Sequence, residues 1–363
     1  MRTTDSAFSD PEICSALLRR IHTELNFPMR FMELCGTHTA AVYRNGLHSL
    51  LPRTLTHISG PGCPVCVTHG REIAACLELA GKDGVITACF GDMMRIPGPG
   101  GMTLAKAGAE GASAVVVYSP LDALRLAEAH PDRTVVFLGV GFETTAPATA
   151  ATVLRAAAQG MDNFALFSMH KLIPPALEAL LAEEDAGGID AFLLPGHVSV
   201  VIGTAPYRFI AEKYGKPGVV GGFEPADILL ALLALAGMRR EGRAEIRNCY
   251  GRAVDADGNL RARALISSVF EPADALWRGL GSIPRSGLIL RGEYERFDAR
   301  ARFAPDLPDV PENPACRCGD VLRGRIAPRN CPLFGNRCSP ANPTGPCMVS
   351  AEGSCAAAFR YGA

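Results

Sequence analysis

The middle of the chain alternates short apolar runs, rich in β-branched residues, with longer segments of helical periodicity. The apolar runs predict strands over 85–89, 114–118, 135–140, 164–167, 191–194 and 218–220. The segments between them predict helices over 71–80, 121–129, 148–158, 175–184 and 225–240. Strands that alternate with helices form βαβ units, and strands that are apolar throughout are covered on both faces. The pattern therefore predicts an α/β fold with parallel sheets, divided into two small domains near Gly160.

The two ends of the chain show different patterns. An amphipathic helix is predicted over 11–25, and it is followed by the polar turn that runs from Cys35 to Thr39. After residue 245 the pattern becomes irregular and rich in arginine and proline. From Cys316 onward turn residues and cysteines dominate, and a short helix is predicted to begin near Glu352.

Composition excludes several classes of function. The 363 residues include 36 Lys and Arg against 37 Asp and Glu, so no excess positive charge is available for nucleic acid or an anionic membrane. The longest strongly apolar run, 228–238, is shorter than the roughly 20 residues that span a membrane. The first residues lack the basic and then apolar order of a secretory signal. We therefore expect a soluble, cytoplasmic protein that binds neither nucleic acid nor a membrane.

Cysteine is the strongest chemical signal, because six of the thirteen cysteines lie between Cys316 and Cys355. In a reducing compartment, concentrated thiols typically bind metal or carry out redox chemistry. The segment is poor in apolar bulk, so a metal or cluster would supply the missing cross-links. Its uneven spacings fit an Fe–S cluster at least as well as zinc, which favours short-spaced pairs. Spacing alone leaves three alternatives open: a cluster, zinc or unliganded thiols. A cluster's negative charge would be offset by five arginines of the tail: Arg317, Arg323, Arg325, Arg329 and Arg337.

Two more thiol motifs lie in the first 70 residues. Cys63 and Cys66 form a CxxC pair before a predicted helix, and such a pair can close a disulfide, bind metal or provide a reactive thiolate. Cys35 lies in a glycine-containing turn, and His38 could accept its proton or orient a ligand. The alternatives are half of a structural zinc site for the pair and a small buried hydrophobe for Cys35.

Polar residues follow the predicted strands, at the edge of parallel sheets where ligands bind. Two such edges that face each other would form a cleft. Each of these residues alone could instead cap a helix or satisfy a local hydrogen bond. They are Asp92, Glu143, Thr144, Thr145, His170, Lys171, His197 and Glu224.

Together these motifs resemble the HypD family of hydrogenase maturation proteins. The resemblance rests on Met-Glu-Leu-Cys-Gly-Thr-His-Thr at 32–39, Gly-Pro-Gly-Cys-Pro-Val-Cys at 60–66 and Cys-Phe-Gly-Asp-Met-Met-Arg at 89–95. It continues through Gly-Phe-Glu-Thr-Thr-Ala-Pro at 141–147, Pro-Gly-His at 195–197, Gly-Phe-Glu-Pro at 222–225 and the cysteine-rich tail. The motifs occur in order over nearly the whole chain.

The resemblance implies two α/β domains plus a cysteine-rich domain that is built from both chain ends and holds a [4Fe-4S] cluster. On this basis we assign 1–58 and 245–363 to the cluster domain, 59–158 to the first α/β domain and 159–244 to the second. The family's cysteine spacing leaves Cys316 and Cys347 spare. It implies as cluster ligands Cys318, Cys331, Cys338 and Cys355.

The resemblance also implies a function: a scaffold on which the Fe(CN)2CO unit of [NiFe]-hydrogenases is assembled. The implied partners are a HypC-type small chaperone, which shares the iron, and a HypE-type protein, which donates cyanide. The resemblance then implies that Cys35 binds the iron and that His38 tunes or deprotonates the Cys35 thiol. Cys63 and Cys66 would form a dithiol/disulfide couple that passes electrons between the cluster and the iron unit being assembled.

Three further residues would line the cleft and manage protons: Asp92, Glu143 and His197. Two rival functions remain from the residues alone. One is an Fe–S-dependent thiol–disulfide reductase of a protein substrate, and the other is a zinc-stabilised interaction protein.

Overall fold

The computed structural model describes residues 7–183 and 188–362, and its elements have the following bounds. The strands are β1 Met29–Glu33, β2 Leu55–Ser59, β3 Val85–Cys89, β4 Ala114–Val116, β5 Thr134–Gly141, β6 Phe164–His170, β7 Ala191–Pro195, β8 Gly218–Gly221, β9 Ile246–Asn248, β10 Phe270–Trp277 and β11 Gly281–Leu290. The α-helices are α1 Pro11–Glu24, α2 Gly36–Arg44, α3 Leu47–Leu50, α4 Pro64–Val67, α5 Gly70–Gly81, α6 Leu104–Ala109, α7 Pro120–Ala129, α8 Ala146–Ala158, α9 Ile173–Ala182, α10 Gly196–Ile202, α11 Arg208–Glu212, α12 Pro225–Arg240, α13 Leu260–Val269, α14 Ala299–Phe303, α15 Cys318–Leu322 and α16 Ser354–Tyr361.

Two parallel sheets organise the molecule. Sheet A has the strand order β2-β1-β7-β8-β9, and sheet B has the order β4-β3-β5-β6. β10 and β11 pair with each other as an antiparallel hairpin. Helices cover both faces of the sheets, as the continuously apolar strands predict. The predicted fold class, α/β with parallel sheets and a cysteine-rich C-terminal region, is confirmed.

The predicted strands of the middle region are all present, and most bounds differ by only a few residues. The predicted helices are present as well, and the helix over 225–240 has the predicted bounds. Residue 184, the last of the predicted helix 175–184, lies outside the described residues. The region after 245, expected to be irregular, contains α13 and the hairpin β10–β11.

Strand pairing differs from the assigned domain boundaries in three places. β9 lies in the part assigned to the cluster domain, 245–363, yet it pairs in parallel with β8, with Gly218 opposite Ile246. β1 and β2 were placed with the tail, yet β1 pairs in parallel with β7, with Phe31 opposite Ala191. β6 was placed in the second α/β domain, yet it pairs with β5 from Val135 opposite Phe164 onward. β1 and β2 carry polar residues and are short, so no continuous apolar run indicates them. Sheet membership then depends on pairing between distant segments, which local patterns do not specify.

The core is continuous from the sheets into the tail. α1 and α12 pack on one face of sheet A, and α7, α8 and α13 pack on sheet B. A third apolar cluster joins α5, β5 and β7 to the tail cysteines. Among the described residues, no helix is both long enough and apolar enough to cross a membrane.

Candidate functional site

The carboxyl ends of the two sheets face each other across a cleft of about 490 Å³. Sheet A contributes Cys35 after β1, Pro64 after β2 and His197 after β7. Sheet B contributes Asp92 after β3 and Thr144 after β5. The cleft expected from two facing strand edges is therefore present. Five of the residues singled out from the sequence line it: Cys35, Asp92, Thr144, Thr145 and His197.

Cys35 lies at the junction between β1 and α2, where it is the residue that precedes the first turn of the helix. Its side chain is buried, with 7% exposure. Burial, followed by the negative charge of Glu352, raises the pKa of Cys35 to about 12, although the backbone N–H groups of His38 and Thr37 act in the opposite direction. The thiol is therefore protonated at neutral pH. A metal ion that binds the sulfur must displace this proton.

Glu33, the last residue of β1, fixes the turn that carries Cys35. The backbone N–H of Cys35 donates to Glu33 Oε2 at 2.9 Å, and the Thr39 hydroxyl donates to Oε1. The carboxylate is fully buried, and His57 Nε2 lies 3.7 Å from Oε1. The sequence motif at 32–39 contains Glu33 but does not by itself indicate this role. The available signal is an acidic residue at the end of a short strand, because a buried carboxylate requires hydrogen-bond partners.

The ring of His38 is fully buried behind the same turn. Its Nε2 lies 2.9 Å from the carbonyl oxygen of Gly222, which only accepts, so Nε2 carries the proton. Nδ1 is then an acceptor, and it has no hydrogen-bond partner among the described residues. Burial lowers the pKa of His38 to about 4, so the ring is neutral at pH 7. Phe223 packs between the rings of His38 and His197, with centroids 4.7 and 3.9 Å away.

The tail reaches the Cys35 turn through Glu352. The Thr37 hydroxyl donates to Glu352 Oε1 at 2.6 Å. A Cβ on Gly36 would lie 2.5 Å from Glu352 Cβ, so this contact requires a glycine beside the cysteine. Sequence reasoning assigned Glu352 only to the start of a helix, since a contact over 315 residues leaves no local signal.

The CxxC motif lies directly against Cys35. Cys63 and Cys66 are joined by a disulfide, with 5.2 Å between their Cα atoms. The backbone N–H of Gly36 donates to Gly62 O at 2.9 Å, and a Cβ on Gly62 would lie 2.2 Å from the nitrogen of Cys35. On the other side, Cys66 Sγ lies 3.9 Å from Pro346 O, next to Cys347 of the tail. The structure therefore brings all three thiol motifs together.

The tail cysteines surround one shared pocket. Its apolar lining consists of Leu333, Phe334 and Met348, and Thr344 donates its N–H to Cys338 Sγ at 3.3 Å. No three metal-ligating side chains in the described ranges are arranged around one ion. A cubane cluster binds its thiolates through separate iron atoms, so its ligands need not converge on one point. The four predicted ligands line the pocket, and so do the two spare cysteines, Cys316 and Cys347. The four predicted ligands are Cys318, Cys331, Cys338 and Cys355.

The charge chemistry of this pocket suits a cluster. Burial, followed by the neighbouring thiols Cys318 and Cys338, raises the pKa of Cys355 well above its usual range. Several thiolates at such short range repel one another, so a bound cationic metal group is needed to hold them deprotonated together. The residues present therefore fit a thiolate-bound cluster.

The sequence predicts that five arginines of the tail offset the negative charge of a cluster, but three of them are ion-paired with carboxylates. Arg317 is ion-paired with Asp320, and Arg323 and Arg325 bind Glu183 at 3.3 and 3.2 Å. Arg278, which follows β10, is a cation that interacts with the thiols of Cys316, Cys318 and Cys347. Nothing in the local sequence indicates this contact, because it depends on how the hairpin packs.

Glu143 occupies a different place from the predicted one. Its neighbours Phe142 and Thr144 line the cleft, whereas Glu143 lines a separate apolar cavity of about 500 Å³. Its Oε1 accepts the backbone N–H of Ile173 at 3.0 Å, and its buried Oε2 has no partner within the described residues. Burial raises the pKa of Glu143 to about 7. The prediction that Glu143 lines the cleft is therefore wrong. In the loop after β5, Phe142 and Thr144 face the cleft, whereas Glu143 between them faces the second cavity.

Comparison with known proteins agrees with these motifs. The family model described as "HypD: Hydrogenase formation hypA family" matches residues 12–362. The hydrogenase maturation factor HypD2 of Bradyrhizobium diazoefficiens is 47% identical over 363 residues, 98% of this chain and 96% of the relative. HypD of Azotobacter vinelandii is 47% identical over 98% of this chain and 96% of its own. HypD of Escherichia coli is 48% identical over 92% of this chain and 89% of its own. The chain belongs to the HypD family.

Proposed function

We propose that this member of a hydrogenase maturation family is the scaffold on which the Fe(CN)2CO unit of [NiFe]-hydrogenases is assembled. One observation carries the proposal: Cys35, the Cys63–Cys66 disulfide and the tail pocket lie in one contiguous region, although they are distant in sequence. The partners we propose are a HypC-type chaperone, which provides a further iron ligand, and a HypE-type cyanide donor. Assembly takes place in the cytoplasm.

Cys35 is the proposed ligand of the iron that is being assembled. Low-spin iron that carries cyanide and carbon monoxide is well matched to a soft thiolate in a site sheltered from water. The backbone N–H groups of Thr37 and His38 and the dipole of α2 favour the thiolate once its proton has left. A metal on the sulfur lowers the pKa of the thiol, and Nδ1 of neutral His38, which has no partner among the described residues, is the proposed first acceptor of the released proton. Asp92 and His197, which line the cleft, are the next proton carriers.

The tail pocket is the proposed site of a [4Fe-4S] cluster held by Cys318, Cys331, Cys338 and Cys355. When bound, the cluster supplies one-electron transfer. Opening the Cys63–Cys66 disulfide consumes two electrons and two protons and yields two thiols. An external one-electron donor protein must therefore deliver electrons twice. The contact between Cys66 and Pro346 places the disulfide next to the pocket.

Substitution of each tail cysteine tests the ligand set. Cys318→Ala, Cys331→Ala, Cys338→Ala and Cys355→Ala are expected to lose cluster iron, while Cys316→Ala and Cys347→Ala are expected to retain it. If Cys316→Ala loses the iron and Cys318→Ala keeps it, the ligand set must be changed accordingly.

Infrared spectroscopy of the anaerobically purified complex with the chaperone tests the assembly function. Cyanide and carbonyl stretching bands are expected for the wild type and for Cys14→Ala, a control cysteine on the distant helix α1. Cys35→Ala is expected to lose the bands while it keeps the brown colour of the cluster. Bands that persist in Cys35→Ala would contradict the assignment of Cys35.

The disulfide beside the tail pocket also favours a second candidate, an Fe–S-dependent thiol–disulfide reductase of a protein substrate. Its disulfide would be reduced through the cluster to two thiols. These thiols would then reduce a disulfide of the substrate to two thiols and re-form the Cys63–Cys66 disulfide. This function predicts a brown protein without cyanide or carbonyl bands. A colourless protein with one bound zinc would instead favour a zinc-stabilised interaction protein.

A further inference from the structure

We infer that Arg278 sets the reduction potential of the tail cluster. The inference deepens the proposed function and rests on its cluster. Arg278 is the first residue after β10, and its side chain is 10% exposed. Arginine remains charged at any accessible pH, so the hairpin places a permanent positive charge inside the protein.

The backbone of the CxxC segment fixes the position of this side chain. The backbone N–H of Arg278 donates to Val67 O at 2.8 Å, and Nε donates to Thr68 O at 2.9 Å. Thr68 also forms a backbone bridge with Trp277, whose buried indole N–H donates to Ser286 at 2.8 Å. The guanidinium therefore cannot withdraw to solvent without breaking contacts on both sides.

The charge of Arg278 acts on the tail pocket. The hairpin brings Arg278 to the tail: a Cβ on the next residue, Gly279, would lie 2.4 Å from the Cα of Gly319, which follows Cys318. Arg278 also lines one cavity together with Asn313 and Thr344 of the tail. In this position its guanidinium interacts electrostatically with Cys316, Cys318 and Cys347. Its carboxylate partner, Glu312, lies 3.6 Å from Nη1 and is 37% exposed, so solvent weakens its neutralising effect. Arg317 and Arg325 are also ion-paired, but their side chains are exposed to solvent. Within the described residues, Arg278 thus differs from these tail arginines in being a buried cation beside the thiols.

Reduction adds one negative charge to a cluster, and a buried cation stabilises that charge more strongly than an exposed one does. Arg278 therefore favours the reduced cluster and raises its reduction potential. The same guanidinium donates to the carbonyl of Thr68, the residue that follows helix α4 of the CxxC motif. The position of the positive charge is therefore fixed relative to the Cys63–Cys66 disulfide, which is the proposed electron acceptor.

An EPR-monitored potentiometric titration of the full-length reconstituted protein, with dithionite as reductant, tests the inference. Arg278→Met is expected to shift the reduction equilibrium at least tenfold toward the oxidised cluster, about 59 mV for a one-electron couple. Arg278→Lys keeps the charge and is expected to stay close to the wild type. Glu312→Gln removes the opposing carboxylate and is expected to raise the potential. Arg337→Gln, at an exposed tail position, is the control and is expected to change little.

The outcomes separate this inference from the proposed function. A wild type that binds no cluster overturns the proposed function. A wild type with a cluster whose potential is the same in Arg278→Met and Glu312→Gln overturns only the inference. If Arg278→Met does not retain the cluster, Glu312→Gln decides: a raised potential in Glu312→Gln supports the role of Arg278, and an unchanged potential in this variant overturns it.

Discussion

The turn that carries Cys35 and the pocket formed by the tail both bury thiols, but they are built differently. Cys35 is held by regular structure, because it joins β1 of a parallel sheet to α2 and hydrogen-bonds to the buried Glu33. The tail has short helices and turns, and five of its cysteines belong to the apolar core. On the proposed function, the thiol on the sheet edge would be positioned before a metal arrives, whereas the tail would depend on the cluster for its cross-links.

Removal of the cluster should have the largest effect on local stability, and it should destabilise the tail but not the sheet edge that carries Cys35. After chelation under oxidising conditions, or in Cys331→Ala, the tail is expected to lose several kcal/mol of local stability because its cross-links are gone. Limited proteolysis should then cut within 316–362 while the sheets survive. Cys35→Ala is the matched control and should leave the tail resistant. A tail that resists proteolysis equally well without its cluster would contradict the comparison.

Gly62→Ala is expected to destabilise the turn that carries Cys35 at the edge of sheet A. The added Cβ would lie 2.2 Å from Cys35 N and 2.3 Å from the carbonyl carbon of Leu34, both backbone atoms. We expect a loss of about 3–4 kcal/mol in the free energy of unfolding, because the backbone must shift. Chemical denaturation measures this loss.

Gly237→Ala, at a helix position where a Cβ meets no atom of the described structure within 4 Å, is the control. It should stabilise the protein by about 0.5–1 kcal/mol. Equal effects of the two substitutions would show that the Cys35 turn is not tightly packed against the CxxC loop.

Glu143 is a buried acidic residue at the sheet edge, and its protonation should make the stability of the fold depend on pH. Its pKa is about 7 when folded and close to 4.5 when unfolded, so the folded state holds this proton more tightly. Stability from this group is therefore complete below the unfolded pKa and is lost as pH rises through about 7. Glu143→Gln should be more stable than wild type above pH 7, by at most about 3 kcal/mol. Denaturation at pH 5 and pH 8 measures the difference, and an unchanged pH dependence would contradict the burial argument.

The pH dependence of iron binding is the smallest expected effect. Because the pKa of Cys35 is about 12, each Fe(II) ion bound there releases one proton at neutral pH. Affinity should increase about tenfold per pH unit, or about 1.4 kcal/mol. Isothermal calorimetry in buffers of different ionisation enthalpy counts the protons released. Binding at Cys35 without proton release would mean that the thiolate is already present.

The sequence predicts the sheet-edge region better than the tail. Apolar runs identify most strands, and the rule that ligands bind at strand ends predicts a cleft with Cys35, Asp92 and His197. Glu143 was misplaced because side-chain direction in a loop has no periodic signal. Cysteine content predicts a thiol pocket, but spacing does not choose among six thiols that all line it. Arg278 was missed because its contact with Thr68 spans 210 residues.

The central claim is that one chain holds two separate iron sites. Iron and acid-labile sulfide measured per chain in Cys35→Ala and Cys331→Ala, purified anaerobically with the chaperone, test it most directly. The account predicts that Cys35→Ala loses about one iron atom and no sulfide, whereas Cys331→Ala loses the sulfide and the iron of the cluster. Loss of sulfide in Cys35→Ala, or full sulfide content in Cys331→Ala, would contradict it.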